Sequence, residues 1–586
     1  MSKNKKENNI DKKINSKKLI ISIIISCLIY CCLAQEGYIN KYNIVLLPMI
    51  FFISYFIYNC KIEKKFNKIS VIISLLYSIL FLLGSVIQDI MFNNSISIIS
   101  SLINIHSILK LSATLPIFYI VVMKLITLLE EINIEKKEKN IKKIFIKSSF
   151  CMFLLWIPYF LIYIPGFLTP DSIGQVGQII SGTFNNHHPV THTLFEFIPY
   201  RLGMLLFNNS MIATSMITIT QMIVMSLIYS YLITFLYKRK INKVLLIIIF
   251  CYYAILPMNI LYSITLWKDI VFAGLILVLT IELIKLIEYK NFTIKRMIRF
   301  GFICLLSMLF RHNALYMMFL LSIILIIFFR KQIKYILPTF IIVFSIYFII
   351  NIPIFDALNI RRSASVEYIA MPLQQLGRIA YKNGNFTKKE KKELAKVISV
   401  EKMKKLYEPR SADSIKFNRD FNIEYFNKHK IKYFKLYLSI IMKNKTTAIE
   451  AYLSSTLGYW YPNVDNWTVE TEVFKNPFGI KSTSIIPKKA KDKLSLWLIT
   501  KSVPLYNFIW SIGLYVWLVI LSFGYSIYRK EYYKMIIYIP IIGIWLSLLV
   551  AAPVFAEYRY MYSFVTTLPL IVLVPKMKIK KEGLKC

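Results

Sequence analysis

The chain has 586 residues, of which 56% are hydrophobic and only 18% are charged, and its formal net charge is +41. Soluble domains carry about a quarter charged residues, so this composition excludes an ordinary soluble protein. The basic residues form short clusters between apolar runs, a pattern that indicates membrane topology and excludes nucleic acid as the expected partner.

The chain begins with a polar, lysine-rich stretch, 1–18, which predicts a disordered basic tail. The apolar run 19–34 predicts the first transmembrane helix; a signal peptide cleaved after Ala34 is the alternative. Further apolar runs have the length of about 20 residues that crosses the hydrocarbon core of a bilayer. We place them at 43–59, 69–88, 111–129, 148–164, 210–236, 243–262, 269–287, 297–310, 313–329, 334–352, 503–528, 534–553 and 560–575.

The loops between these runs alternate in charge. The basic ones are 60–68, 130–147, 237–243, 288–297, 330–334, 529–534 and the tail 576–586. Because lysine and arginine are enriched on the cytoplasmic side, the alternation predicts a multi-pass protein of the cell membrane with both termini in the cytoplasm. The expected fold is an all-α polytopic membrane protein with about fourteen transmembrane helices.

A mainly helical extracytoplasmic insert, 353–502, is expected between the eleventh and twelfth of these helices. Within it, Thr387 with Glu390 three residues later predicts a capping box at a helix start. The expected parts of the chain are the cytoplasmic tail 1–18, N-terminal transmembrane helices 19–147, a transmembrane core 148–352 with the outer loop 165–209, the insert 353–502, C-terminal transmembrane helices 503–575 and the cytoplasmic tail 576–586.

Few ionisable side chains fall in the middle of a predicted span, which argues against a proton-coupled transporter. They gather instead at helix ends that the predicted topology places on the outer face. The stretches are PGFLTPDSIGQ (165–175), NNHHPVTHT (185–193), LWKD (266–269), FRHN (310–313) and AEYRY (556–560). We therefore expect the outward loops to carry the chemistry.

Asp171 has two compatible interpretations. It precedes the helical pattern SIGQVGQII (172–180), where a carboxylate is a favourable helix N-cap. At the membrane surface it is also a candidate general base that takes a proton from an acceptor hydroxyl.

The histidines of the same loop are the next candidates. His187, His188 and His192 are expected to shape the site by hydrogen bonding. Because His188, His192 and Glu196 are spaced by four residues, a divalent cation is the alternative. No other cofactor is predicted.

Lys268, Arg311 and Arg559 are positive charges on a face where positive charge is normally depleted. A phosphate group at the interface would explain them, since arginine and lysine neutralise phosphoryl oxygens. Local ion pairs, Lys268 with Asp269 and Glu557 with Arg559, are the alternative.

The insert contributes further candidate substrate contacts. GYWYP (458–462), with Trp460, predicts either an interfacial aromatic belt or stacking against a sugar or prenyl chain. Gln374, Gln375 and Arg378 in PLQQLGRIAY (372–381) lie within about one helical turn and are expected to line the same cleft.

These segments, in this order and on one face, resemble the GT-C superfamily of integral membrane glycosyltransferases and a bacterial multi-pass family related to it. The resemblance implies a polyprenyl-phosphate sugar donor, an extracytoplasmic acceptor (a cell-envelope glycan, lipid or protein) and an inverting displacement. It implies that Asp171 is the base and that Lys268, Arg311 and Arg559 hold the donor phosphate. The chain departs from the usual pattern by placing Ser172 after Asp171, where many relatives have a second acid.

The expected catalytic group is therefore Asp171, His187 and His188. The expected substrate-binding residues are His192, Lys268, Arg311, Gln374, Arg378, Trp460 and Arg559. Two other functions remain open: a transporter or flippase of lipid-linked glycans, and a non-catalytic envelope-assembly protein whose insert binds a partner. Membrane lipid is a partner in each case.

Overall fold

A computed structural model describes residues 23–24, 26–27, 51, 67–93, 97–131, 140–289, 292–361, 369–499, 508–551 and 554–577. Within these residues the fold is all-helical, and β-structure is limited to isolated bridges. The predicted all-α class is thereby confirmed. The first two predicted spans, 19–34 and 43–59, and the tail 1–18 lie almost wholly outside the described residues.

The chain divides into two compact units. The first comprises Met1–Glu131 with Phe523–Lys530, and the second Ile132–Ser522 with Glu531–Cys586. The described helices of the first unit are α1 (Lys68–Ile90), α2 (Ile98–Leu102) and α3 (Ile105–Glu131).

The first unit is held by packing between α1 and α3. The rings of Tyr77 and Phe118 meet edge to face at 5.9 Å. Buried Lys110 donates from Nζ to the hydroxyl of Ser85 at 2.9 Å, which gives the buried ammonium a hydrogen-bond acceptor.

The second unit holds the remaining helices. Up to residue 361 they are α4 (Ile141–Ile162), α5 (Pro170–Ser181), α6 (Val190–Phe207), α7 (Ser210–Lys238), α8 (Lys243–Ala254), α9 (Pro257–Ser263), α10 (Lys268–Tyr289), α11 (Ile294–Phe310), α12 (Ala314–Phe328), α13 (Ile333–Ile349) and α14 (Phe355–Ala357). Within the predicted insert they are α15 (Ala370–Tyr381), α16 (Lys388–Leu394), α17 (Val400–Leu406), α18 (Asp413–Lys416), α19 (Ile423–Lys428), α20 (Lys430–Lys443), α21 (Lys445–Thr456) and α22 (Lys488–Ile499).

In the described residues 508–551 and 554–577, three further α-helices follow. They are α23 (Ile512–Tyr528), whose last residues belong to the first unit, α24 (Ile539–Ala551) and α25 (Tyr562–Leu573).

Seven helical stretches in the described residues are long and apolar enough to cross a membrane. They are Lys68–Ile90, Ile105–Glu131, Ile141–Ile162, Ser210–Lys238, Lys268–Glu288, Arg330–Ala357 and Tyr532–Val550. An eighth is possible if α8 and α9, which bend by 50°, form one span. Each of the seven coincides with a predicted run. Helix α11 ends at Phe310 and α12 begins at Ala314, which confirms the break predicted between the runs 297–310 and 313–329. The count of about fourteen stays a prediction.

The predicted insert has a core of its own. Leu373, Leu376 and Ile379 of α15 pack with Met403 and Ile440 from neighbouring helices. This follows from the amphipathic spacing of α15, in which apolar residues recur at three- and four-residue intervals.

The predicted capping box opens α16. The hydroxyl of Thr387 accepts from the Glu390 backbone N–H at 3.2 Å, and the Glu390 carboxylate accepts from the Thr387 N–H at 2.9 Å. Both donors would otherwise be unsatisfied at the helix start.

Candidate active site

Backbone bridges hold together four loops that are distant in sequence. We call these segments, 164–168, 264–267, 467–474 and 556–558, the bridged loops. Their isolated pairings join Phe167 to Thr265, Leu168 to Val473 and Trp467 to Glu557. The joined loops bring together side chains that lie up to 388 positions apart in the chain.

The amino-terminus of α5 leaves the first bridged loop. Thr169 is the N-cap, and its backbone N–H meets the hydroxyl of Ser172 at 3.3 Å. The indole Nε1 of Trp267 donates to the Thr169 hydroxyl at 2.7 Å, which fixes this helix end against a second bridged loop. The prediction of Asp171 as N-cap is therefore wrong: Pro170 takes the first helical position and Asp171 lies in the first turn.

Asp171 forms an ion pair with Arg559. Its Oδ2 lies 2.7 Å from Arg559 Nη1, and the same guanidinium reaches Glu557 Oε1 from Nε at 2.9 Å. The guanidinium also lies over the ring of Trp267, 4.8 Å from its centroid. Asp171 keeps 34% of its side chain exposed against 8% for Glu557, so Asp171 is the more accessible carboxylate.

The two carboxyls that share Arg559 titrate differently. Burial by itself would raise the pKa of Asp171, but the charges of Arg559 and Lys268 lower it to about 2. Burial raises the pKa of Glu557 to about 7, because Arg559 offsets only part of the desolvation and the charge of Asp269 adds to it. At neutral pH Asp171 is ionised, whereas Glu557 is close to its midpoint.

Lys268 and His188 form a second contact. Lys268 Nζ lies 2.9 Å from His188 Nδ1. Burial, followed by the charge of Lys268, lowers the pKa of His188, so the neutral ring accepts this hydrogen bond at Nδ1 and carries its proton on Nε2. The ring of His187 packs edge to face on His188 at 4.6 Å.

Arg311 pairs with Asp269. Its Nη1 lies 2.7 Å from Asp269 Oδ1, and its guanidinium lies 4.8 Å from the ring centroid of Tyr560. Of the two local ion pairs considered from sequence, Glu557–Arg559 forms, whereas the carboxylate of Asp269 is ion-paired with Arg311. Next to Arg311, His312 Nε2 meets the backbone carbonyl of Asn186 at 3.3 Å, which ties the histidine loop to this helix end.

His192 belongs to a buried network behind this group. Its Nδ1 accepts from Gln175 Nε2 at 3.0 Å, and the same amide donates to Thr193 at 2.9 Å. Glu196 Oε1 lies 3.7 Å from His192, but burial lowers the pKa of the histidine and raises that of the carboxyl. Burial thus favours the neutral form of both groups, and the hydrogen bonds of Gln175 orient α5 against α6.

A cation held by His188, His192 and Glu196 does not fit this arrangement. His188 precedes the helix and faces Lys268, whereas His192 is turned towards Gln175. In the part of the chain that the structure describes, no group of three His, Cys, Asp or Glu side chains could hold a metal ion.

The candidate residues of the insert contact other residues of the insert. Arg378 is fully buried and meets Glu450 at 3.2 Å, so its burial favours a role within the insert over contact with a substrate. Gln374 donates to the carbonyl of Glu408 at 3.0 Å. Buried Trp460 donates from Nε1 to Thr456 at 3.3 Å.

The sequence analysis did not include four residues of the site among the expected catalytic or substrate-binding residues: Asp269, Glu557, Trp267 and Tyr560. A signal for them existed, because each lies within two residues of an expected basic site residue in LWKD or AEYRY. The resulting cluster balances its charges between Asp171, Asp269 and Glu557 on one side and Lys268, Arg311 and Arg559 on the other. Because Glu557 titrates near neutral pH, protonation there leaves the cluster with a positive excess that favours an anionic ligand.

A protein-family model described as a family of unknown function (DUF6020) matches residues 179–583. No curated protein matches the chain. No solved structure matches it either.

Proposed function

The chain belongs to DUF6020, a family of unknown function, and from the chemistry of its site we propose that it is a membrane glycosyltransferase of GT-C type. It transfers a sugar from a polyprenyl-phosphate donor to an extracytoplasmic acceptor, which is a cell-envelope glycan, lipid or protein. Asp171 is the general base. The protein lies in the cell membrane with both termini in the cytoplasm and its site on the outer face.

The Asp171–Arg559 pair is the observation that carries this proposal. An accessible carboxylate beside a cluster of basic side chains supplies both functions that sugar transfer from a phosphate requires. The carboxylate can accept the proton of a hydroxyl nucleophile, and the basic side chains can stabilise a phosphate that leaves as an anion.

The pair also indicates how donor binding activates the base. In the resting site Arg559 holds Asp171, and the low pKa of Asp171 makes it a weak base. The phosphate of a donor competes for the same guanidinium through charge-assisted hydrogen bonds. As Arg559 turns to the phosphate, Asp171 loses part of its stabilising charge, and its pKa rises towards the ordinary value.

The transfer step then balances as follows. The Asp171 carboxylate takes the proton of the acceptor hydroxyl, and the acceptor oxygen forms a bond to the anomeric carbon of the sugar. The bond between that carbon and the phosphate oxygen breaks, and its electron pair leaves on the phosphate. Lys268, Arg311 and Arg559 neutralise the charge that develops there. Attack opposite the leaving group inverts the anomeric configuration.

The test compares variants of the purified chain in lipid nanodiscs. Each is incubated with a panel of polyprenyl-phosphate sugars and a mixed acceptor extract, and released polyprenyl phosphate is measured by mass spectrometry. We expect turnover by the wild type and a loss of about 100-fold or more in Asp171→Asn, the scale typical of a general base. Asp420→Asn removes an exposed carboxylate of the insert and serves as the matched control, with turnover unchanged.

Other outcomes separate the alternatives. Retention of turnover by Asp171→Asn with loss in Glu557→Gln would transfer the role of base to Glu557. No turnover by well-folded wild type with any donor would reject the glycosyltransferase. Movement of lipid-linked glycan between leaflets by the same samples would then identify a flippase.

A further inference from the structure

Helix α20 presents apolar side chains on two opposite faces. One face is buried, with Tyr433 and Ile440 in the core of the insert. On the other face Ile431, Phe434 and Met442 are 75%, 60% and 61% exposed. Leu438, at 40% exposed, lies between them.

The exposed apolar residues form one continuous line. We call Ile431, Phe434, Leu438 and Met442 the α20 stripe. Their spacing of three, four and four residues keeps them on one side of a helix with 3.6 residues per turn. Such a contiguous apolar line on an outer surface marks a contact with another apolar phase rather than with water.

Lysines border the α20 stripe. Lys430 and Lys435 flank it on the same helix, and Lys445 follows at the start of α21, all with exposed side chains. In the described part of the chain, no carboxylate lies within ion-pair distance of these three. Lys432 and Lys443, by contrast, pair with Glu393 and Glu390 on the far side. Ammonium groups beside an apolar line are the pattern of helices that lie at an anionic lipid surface.

An apolar cavity adjoins the same helix. It has a volume of about 270 Å³ and is lined by apolar and aromatic side chains, with Lys430 as its charged member. Phe434 and Tyr437 contribute to both the cavity and α20. A surface of this composition accommodates hydrocarbon more readily than a polar ligand.

We infer that the insert lies on the membrane surface through α20, with the α20 stripe in the acyl-chain boundary and Lys430, Lys435 and Lys445 on the phosphates of anionic phospholipids. The apolar phase is the bilayer, because the candidate span Arg330–Ala357 leads into the insert and so keeps it close to the membrane. This inference goes beyond the proposed function and does not depend on Asp171 chemistry.

The test uses the full-length wild-type chain in nanodiscs of phosphatidylcholine and phosphatidylglycerol. A trace of phospholipid carries a photoactivatable diazirine on its acyl chain, and adducts are located by mass spectrometry after irradiation. We expect adducts on Phe434, Leu438 and Met442 in addition to those on the spans. Labelled spans without any adduct in 430–443 would overturn the inference.

Two variants make the test specific. Phe434→Glu combined with Leu438→Glu is expected to reduce adducts in 430–443 several-fold while labelling of α1 and α4 stays constant. Phe417→Glu, which changes an equally exposed aromatic residue of the insert outside the α20 stripe, is the matched control and leaves 430–443 labelled. An equal loss in Phe417→Glu would overturn the assignment of the contact to the α20 stripe.

The lipid composition tests the lysines. Nanodiscs of phosphatidylcholine alone are expected to give several-fold fewer adducts in 430–443 than nanodiscs that contain phosphatidylglycerol. Lys430→Gln combined with Lys435→Gln and Lys445→Gln should abolish that difference. Equal labelling of the wild type in both lipids would overturn the assignment of these lysines to anionic headgroups.

Discussion

Two carboxyl groups share Arg559. Asp171 lies 388 positions before it in the chain, and Glu557 lies two positions before it. Asp171 and Glu557 approach different nitrogens of one guanidinium, at 2.7 and 2.9 Å. The planar fork of arginine permits this, whereas an ammonium group would offer no such fixed geometry. The accessible member of the pair stays ionised, and the buried member titrates near neutral pH.

The buried carboxyl predicts a pH dependence of stability. The pKa of Glu557 is raised from 4.5 to about 7, so between these values the folded state binds more protons than the unfolded state. Its contribution is fully present below pH 4.5 and is lost as pH rises through about 7. Glu557→Gln should therefore melt with a flatter pH profile than wild type across this window, as measured by thermal unfolding in detergent. A melting temperature that falls equally steeply with pH in the wild type and in Glu557→Gln would contradict the assignment.

The Lys268–His188 contact predicts a second residue-scale effect. His188→Ala removes the acceptor of a partly buried ammonium and should lower the free energy of unfolding by about 1–3 kcal/mol. His188→Gln offers a side-chain oxygen in its place and should recover part of that loss. Chemical unfolding monitored by tryptophan fluorescence measures both. His106→Ala, which removes an exposed histidine, is the control and should have little effect.

At the scale of elements, the site depends on close approach between two segments. A short 3₁₀ helix at Leu457–Tyr459 packs against the loop that leads to Glu557. A Cβ at Gly458 would lie 2.5 Å from the carbonyl oxygen of Phe555 and 2.3 Å from Ala556 Cβ. Only a residue without a side chain fits there, so the position of Glu557 and Arg559 relies on this glycine.

Gly458→Ala should therefore displace the loop at 555–557, lower the free energy of unfolding by about 1–3 kcal/mol and reduce turnover. Gly174→Ala is the matched control, because nothing lies within 4 Å of its added Cβ and it sits inside α5. That change should be neutral or stabilise the protein by about 0.5–1 kcal/mol. Thermal melting and donor turnover of the two variants make the comparison. Equal behaviour of both would contradict the close approach.

At the scale of the whole molecule, sequence predicted what depends on local composition. Apolar runs identify helices because each segment in a bilayer must satisfy its backbone hydrogen bonds internally. The break at Arg311–Asn313 follows from the polar residues there. The residue types that converge on the site were also predictable. Their pairing was not, since Asp269 could form an ion pair with its neighbour Lys268 or with Arg311, and the packing of α10 against α11 decides between them.

Other features gave little or no signal in the sequence. Each of the bridged loops makes pairings of single residues, so no alternating strand pattern accompanies them. The burial of Arg378 depends on Glu450, 72 positions away. The N-cap at Thr169, by contrast, could have been predicted, because proline favours the first helical position and Pro170 therefore indicates the residue before it.

The charge pattern of the loops predicts the orientation of the molecule. Asp420→Cys in the insert and Lys331→Cys in a basic loop can each be introduced into a cysteine-free chain. In intact cells a membrane-impermeant maleimide should label the first and not the second, and both after permeabilisation. Labelling of Lys331→Cys in intact cells would reverse the orientation.

The stretch 467–474 is hydrogen-bonded near its start to Ala556 and Tyr558 and at its end to Leu168. It therefore spans the gap between the loops that carry the two carboxyls of the site. Trp467 and Phe474, at 61% and 51% exposed, offer a binder two aromatic contacts on this stretch. On the topology proposed above, an antibody fragment that binds both aromatic residues is expected to displace a stretch that is hydrogen-bonded to both loops. Inhibition would then require neither entry into the cell nor competition with a lipid-borne substrate.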